Sequence, residues 1–276
     1  MEYNLGPLCK LRDWIPIEKL IWTRLSKNPN AIYLLEKNMN KINWDMLSAN
    51  PNAIHLLEQH TDKINWYLLS KNPNAIHLLE RFPDKINWIQ LSRNPNAIHL
   101  LEKNMDKIVW SSLSENPNAI HLLEKNINGI KWIALSMNPN ANHILEQNKD
   151  KIFWKHLSLN PNAIHLLEKN QNKIDWEYLS LNPNAIHLLE KNMDKINWVM
   201  ISSNINAIHL LEQRNNEYYI DWHPLSANPA IFEYEYEAMR NRMNLFKEEL
   251  VAKQFHPKNM SKFVSWGFEE FDDLEF

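Results

Sequence analysis

Tryptophans stand at positions 22, 44, 66, 88, 110, 132, 154, 176 and 198, always 22 residues apart, and then at 222 after a two-residue insertion near residues 215–219. A fixed period of this kind redefines the folding problem, because each repeat is one supersecondary unit that buries its apolar face only against its neighbours. Ten copies follow one template, D-K-I-N-W-x-x-L-S-x-N-P-N-A-I-H-L-L-E-K-N-x, found in full at residues 84–105. A 22-residue unit with a single apolar face has no core of its own. The chain is therefore expected to stack its copies into an elongated array.

Each copy carries two helix-start signals. In the second copy Asn43 precedes Trp44 and suits the cap of a short helix holding Trp44, Leu47 and Ser48. Asn50 then precedes Pro51, whose missing N–H costs nothing at a first helical position, so Asn-Pro is expected to open a second helix. Ala53, Ile54, Leu56 and Leu57 lie three and four apart and form its apolar face, while Asn52, His55 and Gln59 point elsewhere. His60, Thr61 and Asp62 supply a turn, and Ile64 starts the next unit.

The predicted fold is all-α, a helical-repeat solenoid of ten 22-residue two-helix units, rod-like or superhelical, with capping segments at both ends. Its expected parts are an N-terminal cap over residues 1–21, the solenoid over 22–230, a C-terminal helical cap over 231–268 and an acidic tail over 269–276. Within the first cap Trp14, Ile15, Pro16, Ile17, Leu20 and Ile21 mimic a partial repeat, and Tyr33 takes the usual histidine place in the first copy. Asn228-Pro229 is expected to open a tenth long helix. Tyr236, Met239, Met243, Phe246 and Leu250 follow at helical spacing and are expected to cover the last open face. Pro257 and Gly267 bracket a final helix carrying Met260, Phe263, Val264 and Trp266. Asparagine ladders along the stack are expected to satisfy the helix-end groups.

The motif N-P-N-A-I-H-L-L-E, the opening D-W-I-P-I-E-K-L at residues 13–20 and the closing E-L-V-A-K-Q-F-H-P at residues 249–257 resemble a repeat family abundant in giant DNA viruses of amoebae. The resemblance covers nearly the whole chain. It implies a viral origin, with the host cytoplasm or a viral factory as the place of action, and brings no catalytic or binding residues with it. In architecture alone, the alternation of a short helical turn with a longer helix is similar to the leucine-rich-variant repeats. The 39 asparagines, together with many isoleucines and lysines, fit an A/T-rich genome.

Composition narrows the chemistry. With three glycines there is almost no material for phosphate-cradling loops, and one cysteine, Cys9, makes neither an internal disulfide nor a cysteine-based metal cluster. The formal charge is −3, of which the last eight residues contribute −5, so the rest carries +2 and demands no polyanionic partner. No signal peptide and no membrane span is read from the sequence, and a cytoplasmic protein is expected.

Three recurring columns carry residues capable of chemistry. His55, His77, His99, His121, His143, His165, His187 and His209 tempt a metal reading. Yet layers about 10 Å apart cannot share an ion held at about 2 Å, and His55 with Glu58 gives only two ligands. The tryptophans share a helix face with buried leucines and are expected in the core, not as stacking platforms. The serines, such as Ser48 and Ser70, lack a partnered histidine and a glycine elbow. Neither catalytic residues, a metal site nor a cofactor is expected. Function then falls to surface columns that vary between copies. The fifth residue after each tryptophan reads Lys27, Ala49, Lys71, Arg93, Glu115, Met137, Leu159, Leu181, Ser203 and Ala227. Met137, Leu159 and Leu181, with Tyr178 and Tyr67 from the columns just after tryptophan, are the candidate partner-binding residues, the first three forming an outward stripe about 20 Å long. The expected function is a non-catalytic scaffold or adaptor for protein partners. An RNA-binding helical-repeat protein and a structural virion protein are the alternatives.

Overall fold

The computed structural model describes residues 9–213 and 220–254, and the chain divides into one unit over Leu11–Phe232 and another over Met1–Lys10 with Glu233–Phe276. The insertion near residue 215, the helix expected between Pro257 and Gly267, and the acidic tail lie outside the described residues.

The larger unit is the repeat array, and the first nine copies are helical as predicted over their described residues. In the second copy the short helix is Trp44–Ser48, and the Asn43 side chain caps it by accepting from the Met46 N–H at 2.9 Å. In the first and third copies Asn-Pro opens a helical segment as expected, a 3₁₀ turn over Pro29–Ala31 and Pro73–Ala75 that runs into the longer helix, whereas in the second copy it only turns the chain. The Asn50 side chain accepts from the Asn52 N–H at 3.0 Å, closing a tight turn, and Ala53 sits at φ −97°, ψ 11° before the second helix, Ile54–Gln59, begins. Asparagine's preference for a bond two residues ahead turns the chain before the helix starts. Thr61–Lys63 then forms one 3₁₀ turn leading to the next copy. Leu47, Ala53 and Leu57 are fully buried, and so are their equivalents Leu91, Ala97 and Leu101. Each such leucine contributes about 1.5–3 kcal/mol relative to exposure.

Copies are joined by a hydrogen-bond ladder made from two buried columns, serine and the asparagine of Asn-Pro. Ser48 Oγ donates to the Trp44 carbonyl and accepts the Asn65 N–H of the next copy. Asn72 Nδ2 donates back to the Ser48 and Asn50 carbonyls at 3.1 and 3.0 Å. Asn74 Nδ2 reaches the Pro51 carbonyl at 2.9 Å. Buried backbone groups at each helix end are thus satisfied by the neighbouring copy.

The ladder has no end. Ser226 Oγ of the tenth copy accepts the Ile21 N–H of the first at 2.9 Å. Asn28 Nδ2 donates to the Ser226 and Asn228 carbonyls at 3.2 and 2.9 Å, and Asn30 Nδ2 to the Pro229 carbonyl at 3.0 Å. The rod or superhelix expected from the sequence is instead a closed ring, in which ten copies share 360°, about 36° each. The segment Ile17–Lys19, expected as part of a cap over an open face, is the 3₁₀ turn that leads into the first copy. Curvature follows from the shape of the copy. The tryptophan helices approach one another most closely between copies, whereas each longer helix packs mainly within its own copy and on its own 3₁₀ turn. A copy narrow on one side and wide on the other is a wedge, and the tryptophan helices form the inner wall.

The tenth copy departs from the template. Its short helix Trp222–Ser226 and the 3₁₀ turn Pro229–Ile231 are regular, but a strand, Phe232–Tyr234, replaces the expected long helix. F-E-Y-E-Y alternates with period two, which suits a strand rather than a helix. Arg12 joins here, its N–H donating to the Ile231 carbonyl at 3.0 Å and its Nε to the Ala230 carbonyl at 2.8 Å. Phe232–Tyr234 pairs with Cys9–Leu11 in a two-stranded sheet.

In the smaller unit Lys10 pairs with Glu233 at 3.6 Å, and the helix expected from the spacing of Tyr236 to Leu250 runs over Tyr236–Gln254. Its Tyr236, Met239, Met243 and Phe246 are exposed, where burial was expected. No helix of the described residues is long and apolar enough to cross a membrane.

Candidate interaction site on the inner wall

Most recurring polar residues are already committed to structure. The serine hydroxyls are buried in the ladder. The histidines pair with glutamates, but of the preceding copy: His55 Nε2 meets Glu36 Oε1 at 2.9 Å and His77 meets Glu58 at 2.9 Å, and so on to His209 with Glu190 at 3.2 Å. The pairing of His55 with Glu58 that helix spacing suggests is replaced by this contact across the joint. In one rung, the bond from His165 holds the Glu146 carboxyl below its ordinary pKa, helped by Lys169 and Lys149. Among the described residues, no three of His, Cys, Asp and Glu gather at one point.

The tryptophans are half-buried, where the sequence placed them in the core. One part of each ring meets the core, and in most copies a lysine of the next copy lies over the other. Lys41 Nζ is 4.5 Å from the Trp22 ring centre, Lys107 4.7 Å from Trp88 and Lys173 4.4 Å from Trp154. Lys19 takes the same place over Trp222 at 5.5 Å, across the ring closure. Gly129 stands where the template has lysine, and a Cβ there would lie 2.7 Å from ring carbons of Trp110. These indoles are covered, which leaves no open stacking platform at those copies.

Two surfaces vary between copies: the 3₁₀ turn column, with exposed Met39, Met105 and Ile127, and the face of each tryptophan helix turned away from the longer helices. Its second and fifth residues after tryptophan are three apart and share that face. Met137, Leu159 and Leu181 occupy the fifth position of copies six to eight, all half-buried. They follow the concave wall as an arc rather than the outward stripe expected. Tyr178 lies three residues before Leu181 on the same helix face, its ring 5.8 Å from that of His156 and 4.7 Å from Lys155 Nζ. Tyr67 is 50% exposed and directly follows Trp66 in the third copy, so the ring sets its copy opposite the one that carries Tyr178 and Leu181.

Sequence reasoning did not single out the charged members of the same column. Arg93 forms a two-pronged pair with Glu115 of the next copy, at 2.9 and 3.2 Å, and this bond raises its pKa. Lys27 is exposed, yet surrounding protein lowers its pKa, with Lys71 and Arg24 adding repulsion. Lys27 and Lys71 are two copies apart. In a straight stack about 20 Å would separate them, beyond the screening length of about 8–10 Å. On the inside of a ring they converge, and both effects on Lys27 suit a confined, water-filled opening. Arg24 Nε donates to His223 Nε2 at 2.8 Å across the closure. Ten neighbours about 8–10 Å apart put the tryptophan helices about 13–16 Å from the ring axis. A helix half-width of about 5–6 Å then leaves an opening roughly 15–20 Å across.

Compared with protein-family models, curated proteins and solved structures, the chain matches none of them.

Proposed function

We propose that this protein is a non-catalytic ring scaffold that holds a protein partner on its inner wall. One observation carries the reading. The recurring serines, asparagines, histidines and lysines are engaged in ladders, pairs and ring contacts, which leaves recognition to the side chains that differ from copy to copy, on the concave columns and in the 3₁₀ turns. Surface that diverges while the frame repeats is where solenoids carry recognition. Met137, Leu159 and Leu181 give that surface a continuous apolar arc, which suits a protein contact. The resemblance noted above extends the proposal to a viral protein acting in the host cytoplasm or viral factory.

The test is quantitative capture from infected cells, with and without nuclease, comparing the tagged chain, the triple variant Met137→Ser, Leu159→Ser, Leu181→Ser, and an outer-wall control, His121→Ala. A partner retained by the control and lost by the triple variant, with circular dichroism unchanged, supports the reading. Partners held equally by all three would overturn it, and loss on nuclease treatment would favour the RNA-binding alternative.

A further inference from the structure

We infer that the ring opening receives a single acidic amphipathic polypeptide segment, its carboxylates against Lys27 and Lys71 and its apolar side chains against Met137, Leu159 and Leu181. This rests on the scaffold reading and names the chemistry of the partner. In a ring of ten, opposite copies are five apart. Lys27 of copy one therefore faces Met137 of copy six, and Lys71 of copy three faces Leu181 of copy eight. Between these pairs, the small Ala49 of copy two faces Leu159 of copy seven. The opening has one basic half and one apolar half, set against each other by closure alone.

Charge complementarity decides the occupant. Lys27 and Lys71 carry no ion pair or hydrogen bond among the described residues, unlike Arg93, which Glu115 already neutralises. Two confined ammonium groups with Arg24 beside them repel one another, and carboxylates placed between them would relieve that repulsion. A basic or neutral segment would leave it in place. Width argues for one segment. A single α-helix is about 10–12 Å across and fits an opening roughly 15–20 Å wide, whereas two helices side by side do not.

The probe is a fluorescent nine-residue peptide, Phe-Glu-Glu-Phe-Asp-Asp-Leu-Glu-Phe, which borrows its alternation from residues 268–276 and is added in trans to the full chain. Anisotropy should report binding that weakens as salt is raised and drops at least about tenfold in the double variant Lys27→Gln, Lys71→Gln. A peptide with every acid replaced by lysine should not bind, and one with every Phe and Leu replaced by serine should bind at least about tenfold more weakly. Thermal unfolding of each variant verifies that the ring is intact, and Lys103→Gln with Lys125→Gln serves as a charge-matched control. If the lysine-substituted peptide binds as well as the acidic one, or the Lys27, Lys71 double variant keeps full affinity, the inference is wrong. A cellular partner that depends on Met137, Leu159 and Leu181 but presents a basic segment would remove this inference and leave the scaffold reading standing.

Discussion

The joint between copies four and five and the joint between copies ten and one hold the same buried ladder in different surroundings. At the first, Asn116 Nδ2 donates to the Ser92 and Asn94 carbonyls, and at the second, Asn28 Nδ2 donates to the Ser226 and Asn228 carbonyls. The internal joint also has chain continuity and an exposed rung, His121 to Glu102 at 3.0 Å. The closing joint lacks that rung, because Tyr33 stands at the histidine place and a strand replaces the tenth long helix. It gains Arg12 on the Ala230 and Ile231 carbonyls instead. Closure therefore does without the His–Glu rung and is held by the buried ladder, by Arg12 and by the Arg24 to His223 bond.

The largest expected effect tests that equivalence. Asn116→Ala strands the buried Ser92 carbonyl and the Asn118 N–H and takes one of two donors from the Asn94 carbonyl, which keeps the Ala97 N–H, so at about 1–3 kcal/mol for each group left unpaired a loss of roughly 2–4 kcal/mol is expected in urea unfolding. Asn28→Ala should cost about the same. A loss below about 0.5 kcal/mol at Asn28, the size of an ordinary surface change, would mean that the ring is open in solution.

Next comes a position where one copy departs from the template. Gly129→Ala drives a methyl group into Trp110 and should cost about 1–3 kcal/mol, while Lys107→Ala, which only uncovers Trp88, should cost under about 1 kcal/mol. Equal losses would argue against the close approach at Trp110. Arg12→Ala removes a bond found only at the closure and should cost about 1 kcal/mol. His121→Ala, which cuts an exposed rung, should change stability by no more than about 0.5 kcal/mol, and thermal melts of the two side by side rank the joints.

The smallest effects concern pH. The Glu146 carboxyl is lowered in the folded chain, chiefly by the bond from His165, so its contribution is complete above the ordinary carboxylate range and is lost as pH falls through the folded value. Glu146→Gln should flatten the acid side of the stability curve slightly. Lys27 behaves with the opposite sign: its folded pKa is lowered, so the charged form disfavours folding at neutral pH and the strain is relieved as pH rises. Lys27→Met should raise the melting temperature a little at pH 7, and by less at alkaline pH. A drop at pH 7 would count against crowding of cations at the inner wall.

Much of the fold was legible because it is local and repeated. Asn43 before Trp44, the apolar spacing of Ala53 to Leu57 and the asparagine ladder all follow from residues within one copy or its neighbour. The serine ladder was not legible, since Ser48 reads as an ordinary helix residue until the next copy places the Asn65 N–H against its hydroxyl. The histidine partner was misread for the same reason: Glu58 is nearest in helix spacing, but stacking brings Glu36 closer. Of the candidate site, Met137, Leu159, Leu181 and Tyr178 were found as variable positions. Lys27 and Lys71 stand in the same column, but only closure brings them near each other.

The sequence by itself determined the unit, its helices, its period and the need to stack, because a 22-residue copy with one apolar face can do little else. Only the tertiary structure decided that the stack closes. The rotation between copies comes from the difference in width between one side of the wedge and the other, a sum of many side-chain contacts that no short motif encodes. A small error per copy, multiplied tenfold, separates an open superhelix from a ring. Closure then decided which residues face each other, setting Lys27 opposite Met137 although they are 110 positions apart in the chain.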